Sequence, residues 1–174
     1  MISMICIEAN LDPTIHIGGE LDAIGGNTRI GKGPYFIAEA CEYVESFLKL
    51  YPFLGVISNI EEDHLDYYRD IQHIKEAFLK FGNLIPRNGY MVGCADDKNV
   101  LDVMEKLDCN KVTYGLYNNA AHWKAANIIW DSMGCASFDA CGPDMTVPGI
   151  KLNIPGIHNI KNSLAAIASC IALG

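Results

Sequence analysis

Apolar positions follow two periods along the chain. At Ile71, Ile74, Phe78, Phe81 and Ile85 they recur every three or four residues, which is the spacing of one helical face. Asp70 stands ahead of that face as an N-cap, and Pro86 with Asn88-Gly89 closes it. Between such stretches lie short unbroken runs at residues 35–38, 53–57, 90–94 and 111–114, with the length and content of buried strands. After the third run, Asp96-Asp97 leads into a helix carrying Val100, Val103, Met104 and Leu107. Strands and helices alternating in this way predict a parallel sheet.

The ends of the chain extend the pattern. Ile2, Ile5, Cys6 and Ala9 fall at helical spacing and predict a buried helix with no N-cap. Residues 14–17 predict a short strand ending at Gly18-Gly19, and residues 42–50 a helical turn with Glu42 and Glu45 on its exposed face. Beyond Gly115 the runs 123–130, 136–140 and 150–154 are separated by the turns Met133-Gly134 and Pro148-Gly149. They predict a small antiparallel meander appended to the parallel sheet. Residues 156–162 then open a C-terminal helix whose apolar stretch, 163–173, predicts a core element too short to cross a bilayer. The fold class is α/β, a mostly parallel sheet flanked by helices with an antiparallel meander in the C-terminal third.

Composition sets the bounds. A length of 174 residues, half of them apolar, suits one domain with a real core. A net charge of -8 argues against a general nucleic-acid or anionic-membrane surface, so an anionic substrate would need a cation with it. Seven scattered cysteines without a C-x-x-C pair read as reduced thiols in a cytoplasmic protein, and the N-terminus lacks the basic region and cleavage site of a signal peptide.

The chemistry concentrates in Asn59-Ile-Glu-Glu-Asp-His-Leu-Asp66, directly after the apolar run 53–57. In open α/β sheets ligands bind at the carboxyl ends of the strands, so His64 among carboxylates is placed for metal or phosphate chemistry. The plain alternative is a solvated acidic loop. Glu39 closes the run 35–38; if that strand neighbours 53–57, Glu39 and His64 share one sheet edge and one cation. Asp96 and Asp97 read most simply as an acidic helix N-terminus. The glycines at 25, 26, 31 and 33 fit neither a dinucleotide fingerprint nor a Walker A loop and read as turns. His122, Trp123 and Trp130 read as packing and edge residues. Asn159 and Asn162 lie on one helical face, where an amide pair suits a purine edge; helix capping is the alternative.

Three passages now stand together: Ile37-Ala-Glu-Ala40 with Ser46-Phe-Leu48, Asn59 through Asp66, and Gly156-Ile-His-Asn159 through Asn162 to Ala165-Ala166. In their order and spacing the chain resembles the central, ATP-binding domain of the Mur ligases, cytoplasmic enzymes that build the peptide stem of peptidoglycan. Within that family it is most similar to the branch that joins L-alanine to UDP-N-acetylmuramate. The resemblance implies a P-loop NTPase-like fold, Mg2+ held by Glu39 and His64, and the adenine of ATP held by His158, Asn159 and Asn162. It also implies an acyl-phosphate route to the amide bond. Several members carry a carbamylated lysine on the helix after the histidine motif; Phe78 takes the corresponding place here, with Lys80 two positions on, as the alanine-adding branch would show.

The family's glycine-rich phosphate loop, ending in Gly-Lys-Thr, is not in the sequence, nor are the N-terminal UDP-sugar domain and the C-terminal domain. Residues 1–174 are therefore expected to be a central-domain fragment, inactive alone. The competing expectations are a related cell-wall amide ligase with another substrate and a non-catalytic binding or scaffold domain on the same fold.

Overall fold

The structure, a computed structural model, describes residues 1–174. Helix α1 (Ile2–Glu8) leads into a small sheet of β1 (Thr14–Leu21), β2 (Gly26–Arg29) and β3 (Phe36–Ala38), in the order β2-β1-β3. The glycine-rich passage belongs to this sheet and is closed on itself. A Cβ on Gly31 would lie 2.0 Å from the Asp12 carbonyl oxygen, and one on Gly33 1.8 Å from that of Leu11. Arg29 donates to the Pro13 carbonyl at 2.8 Å and pairs with Asp12, whose other oxygen accepts from the Lys32 amide at 2.9 Å. These glycines admit the chain's own backbone.

The placement of β3 corrects the expectation that run 35–38 neighbours run 53–57. It pairs in parallel with β1, through Thr14↔Phe36, Ile15↔Ile37 and His16↔Ala38, and has no place in the main sheet. A strand inside a parallel sheet must bury both faces, whereas Phe36 remains 64% exposed, so this three-residue run fits an edge.

The main sheet has six strands in sequential order: β4 (Leu54–Ile57), β5 (Tyr90–Cys94), β6 (Asn110–Gly115), β7 (Trp123–Trp130), β8 (Cys135–Cys141) and β9 (Thr146–Pro155). Strands β4 to β7 pair in parallel, and β7 to β9 pair antiparallel, so the meander continues the sheet. The β6–β7 pairing is confined to Tyr114↔Trp123 and Gly115↔Lys124. Residues 116–122 are too few for a helical crossover, and so short a connection permits no longer parallel register.

Period-two alternation divides the core. Met91 packs on one face of the sheet with Ile57, Ile74, Phe81 and Val103, under α2 (Ile71–Gly82) and α3 (Lys98–Met104). Val92, next in sequence, packs on the other with Tyr114, Phe138, Ile160 and Leu164, under α4 (Ile157–Leu173). Helix α1 packs on α4. Asp70 caps α2 by accepting from the His73 amide at 2.8 Å. The turn expected at 42–50 is a 3-10 helix, Tyr43–Lys49, kinked where Val44 and Glu45 take φ of 48° and 55°. His122 Nδ1 accepts from the Thr113 amide at 3.0 Å, at the edge position expected of it. No helix is long and apolar enough to cross a membrane.

Candidate functional site

Beyond β4 the chain leaves regular structure, and neighbouring elements hold it. Ile60 is buried as a plug; its amide donates to Asp97 Oδ2 at 3.2 Å, and its carbonyl accepts from Asn99 Nδ2 at 2.9 Å. Asp97 also caps α3 through Oδ1, which accepts from the Val100 amide at 2.9 Å. One carboxylate therefore starts a helix and fixes the acidic loop. Farther on, the buried Tyr68 donates its hydroxyl to the Glu42 carbonyl at 2.5 Å. Burial first, and then the charge of Glu45, push the Tyr68 phenol up to about 12.

Between these anchors His64 sits at φ 52°, its amide donating to Asp63 Oδ1 at 2.7 Å. Its Nε2 lies 3.4 Å from Glu42 Oε1, and its Nδ1 3.9 Å from Asp63 Oδ1. The Tyr43 ring lies 4.8 Å from the imidazole, and the Tyr43 hydroxyl donates to Asp66 Oδ2 at 2.9 Å. That hydrogen bond to a carboxylate raises the Tyr43 phenol above its ordinary value. Glu42, Asp63 and His64 each offer a ligand atom within 4.8 Å of the others. Two carboxylates and an imidazole at that separation fit the shell of one divalent cation, whose opposite ligands stand roughly 4–5 Å apart. Beside them opens a cleft of about 300 Å³ lined by Glu42, Asn59, Glu62, Asp63 and Phe78.

A second group forms where α4 begins. Gly156, at φ 104°, takes the N-cap position, so Asn159 is not the cap. Asn159 turns its amide back to the Pro155 carbonyl at 2.8 Å, with His158 Nε2 at 3.2 Å. Asn162 Nδ2 donates to Asn159 Oδ1 at 3.4 Å, completing a run of three polar side chains on the first turns. Beside it, Asp96 is 5% exposed and accepts from the amides of Leu116, Tyr117 and Asn118 at 2.8, 2.9 and 2.9 Å. Lys161 of α4 stands 3.4 Å from Asp96 and 5.5 Å from the centre of the Tyr117 ring. Burial pushes the Asp96 carboxyl up, but the three amides and Lys161 outweigh it, and the net position is below the usual carboxylate range.

The description "Mur ligase middle domain" fits residues 29–170, most of the chain. The chain belongs to this family. It is 59% identical over all 174 residues to the UDP-N-acetylmuramate--L-alanine ligase of Acetivibrio thermocellus, and spans 37% of that relative's length. Among solved structures, the UDP-N-acetylmuramate-alanine ligase of Thermotoga maritima is 25% identical with a TM-score of 0.82, covering 99% of this chain and 38% of that one. The UDP-N-acetylmuramate:L-alanyl-gamma-D-glutamyl-meso-diaminopimelate ligase of Neisseria meningitides gives 0.85 at 24% identity, covering 99% of this chain and 56% of that one. This last likeness is one of fold.

Within the Mur ligase framework the motif residues fall into three places. His158, Asn159 and Asn162 come together at the start of α4. His64 meets Glu42 and Asp63, whereas Glu39 turns to β1 and accepts from the Gly18 amide through Oε2 at 3.0 Å. Glu42, read from sequence as an exposed helix position, is the carboxylate facing Nε2. Helical spacing carries no signal of this, because the reversal at Val44 and Glu45 turns the segment. Phe78 walls the cleft and packs edge-on against Phe47 at 5.3 Å, while Lys80 is engaged by Glu45 at 2.8 Å. Asp96 was also missed, since two adjacent acids before a helix look alike in sequence.

Proposed function

We propose that this chain is the central domain of an ATP-dependent ligase that joins L-alanine to UDP-N-acetylmuramate in peptidoglycan precursor synthesis, in the cytoplasm. The 59% identity to a ligase of that name, sustained over the whole chain, carries the reading. In such a reaction the substrate carboxylate attacks the γ-phosphorus of ATP and ADP leaves. The amine of L-alanine then attacks the acyl phosphate, a C–N bond forms, and inorganic phosphate departs. A divalent cation, Mg2+ in this reading, neutralises charge on the phosphoryl oxygens.

The residues take complementary parts. His64, with Asp63 and Glu42 around it, presents the cation-binding edge of the acidic loop. Glu39, the metal-binding glutamate that the resemblance implied, is held by the Gly18 amide on Oε2 and is not among the ligand atoms gathered round His64, so the cation-binding part falls to His64, Asp63 and Glu42. His158 and Asn162 face the adenine, and Asn159, nearly buried, holds Asn162 in place. The sequence contains no Gly-Lys-Thr phosphate loop, so the isolated 174-residue chain should bind nucleotide weakly and turn over nothing.

Titrating the purified chain with ATP, with and without Mg2+, tests the reading. Binding should require Mg2+ and weaken on His64→Ala or Asn159→Ala while circular dichroism stays unchanged. Indifference to both changes supports a scaffold role. Amide formation from UDP-N-acetylmuramate, L-alanine and ATP by the isolated chain, free of host ligase, would refute the expected inactivity.

A further inference from the structure

We infer that the ring of Tyr117 is a stacking platform for the nucleobase, held by Lys161 and Asp96 beside the polar strip that opens α4. The inference rests on the adenine reading of His158 and Asn162 proposed above.

Helical spacing decides which side of α4 can meet a ligand. Over the first two turns Asn159, Ile160 and Ser163 are buried, whereas His158 and Asn162 are exposed and Lys161 is half-buried. His158 lies three residues from Lys161 and four from Asn162, so the three share one face. Lys161 is the flank of that face, and what it holds is the strip's neighbour. Its ammonium stands 5.5 Å from the centre of the Tyr117 ring and 3.4 Å from Asp96 Oδ2, while the Tyr117 amide donates to Asp96 Oδ1 at 2.9 Å. One carboxylate thus fixes both the loop that carries the ring and the lysine that lies against it.

The ring itself stays 69% exposed. With a cation on one face it keeps the other for a ligand, and a purine is flat, with apolar faces and polar edges. Edge and face then go to different partners: the Asn162 amide meets the edge, and Tyr117 covers the face. The charge balance points the same way. Asp96 neutralises Lys161, so this flank has no free charge to offer a phosphate and suits an uncharged base. Because every base has a π-face, such a platform adds affinity without choosing the base.

Backbone amide chemical shifts, followed while the purified chain is titrated with Mg2+ and ATP, GTP or inorganic tripolyphosphate, separate contacts to the base from contacts to the phosphates. Tyr117→Ala should raise the dissociation constants of ATP and GTP by a similar factor, about 5–100-fold, and leave that of tripolyphosphate unchanged. Tyr117→Phe should match wild type. Tyr117→Leu, which still covers the ion pair but has no π-face, should behave as the Ala variant. Asn162→Ala should instead weaken ATP more than GTP. Mn2+, standing in for Mg2+ and read by electron paramagnetic resonance, should bind Tyr117→Ala as it binds wild type and Glu42→Ala more weakly. Unchanged ATP affinity in Tyr117→Ala while Asn162→Ala weakens it overturns the platform alone. A fall in tripolyphosphate or Mn2+ affinity in Tyr117→Ala as large as the fall for ATP gives the ring a structural role and overturns it too. Unchanged ATP affinity in both His158→Ala and Asn162→Ala removes the adenine reading and this inference with it.

Discussion

Two regions at the carboxyl ends of neighbouring strands solve the problem of holding a side chain in different ways. Around His64 the backbone is irregular, three non-glycine residues have positive φ, and the placing bonds come from the turn 43–49, from α2 and from α3. At the start of α4 the backbone is regular, and one buried carboxylate, Asp96, gathers three amides and Lys161. In the first region positional information is spread over many partial bonds. In the second it is concentrated. Removing one bond should therefore loosen the first by degrees, whereas removing one side chain should disable the second.

The largest effect should come from separating the turn from its support. Phe47 is buried, stacked on Phe81 at 4.9 Å and 4° between planes, and edge-on to Phe78. Phe47→Ala leaves a cavity under the turn and should cost about 3–5 kcal/mol. A urea unfolding curve measures it. If the variant keeps wild-type Mn2+ affinity despite that loss, the turn does not depend on the core beneath it, and the description of the His64 region as distributed support fails.

Asp96 comes next and probes the concentrated side. Asp96→Ala strands three amides and an ammonium and should cost about 3 kcal/mol. Asp96→Asn separates charge from shape. Because the folded carboxyl sits below its ordinary value of about 4, its contribution is present above that pH and is lost as pH falls through the folded value. The stability gap between wild type and Asp96→Asn should accordingly be widest near neutrality and close on the acid side of pH 4. A gap that stays constant with pH removes the charge from the account of the α4 region.

The contrast also explains what could be read in advance. Helix α2 and its Asp70 cap, and strand β5 at residues 90–94, follow from local periodicity and are found where that periodicity puts them. The antiparallel run 123–155 was equally visible, and so was its attachment to the parallel sheet. The partner of β3 was not legible, because a three-residue apolar run carries no information about which edge it will meet. Nor was the meeting of Glu42 with His64, which depends on left-handed φ at Val44 and Glu45 that no non-glycine sequence announces. Asp96 and Asp97 show the same limit at closer range: one caps α3 and the other gathers a distant loop, and only the chain's return at residues 116–118 distinguishes them.

The smallest effect should come from a single bond on the distributed side. Tyr68→Phe removes the hydroxyl that holds the Glu42 carbonyl while keeping the buried ring, and should cost about 1 kcal/mol at neutral pH. Its pH dependence gives the change a signature. The folded protein keeps the Tyr68 proton up to about 12, whereas the unfolded chain releases it near 10. Stability from this group is therefore whole below pH 10 and declines as pH rises toward 12. The phenylalanine variant has no such proton to lose, so its deficit should narrow over that interval, as thermal melts at stepped pH would show. Under distributed support its Mn2+ affinity falls less than that of Glu42→Ala, since Lys80 still holds Glu45 and Asp66 still holds Tyr43. Equal falls in the two variants would mean that this one bond carries the turn, and the two regions would then be built on the same plan.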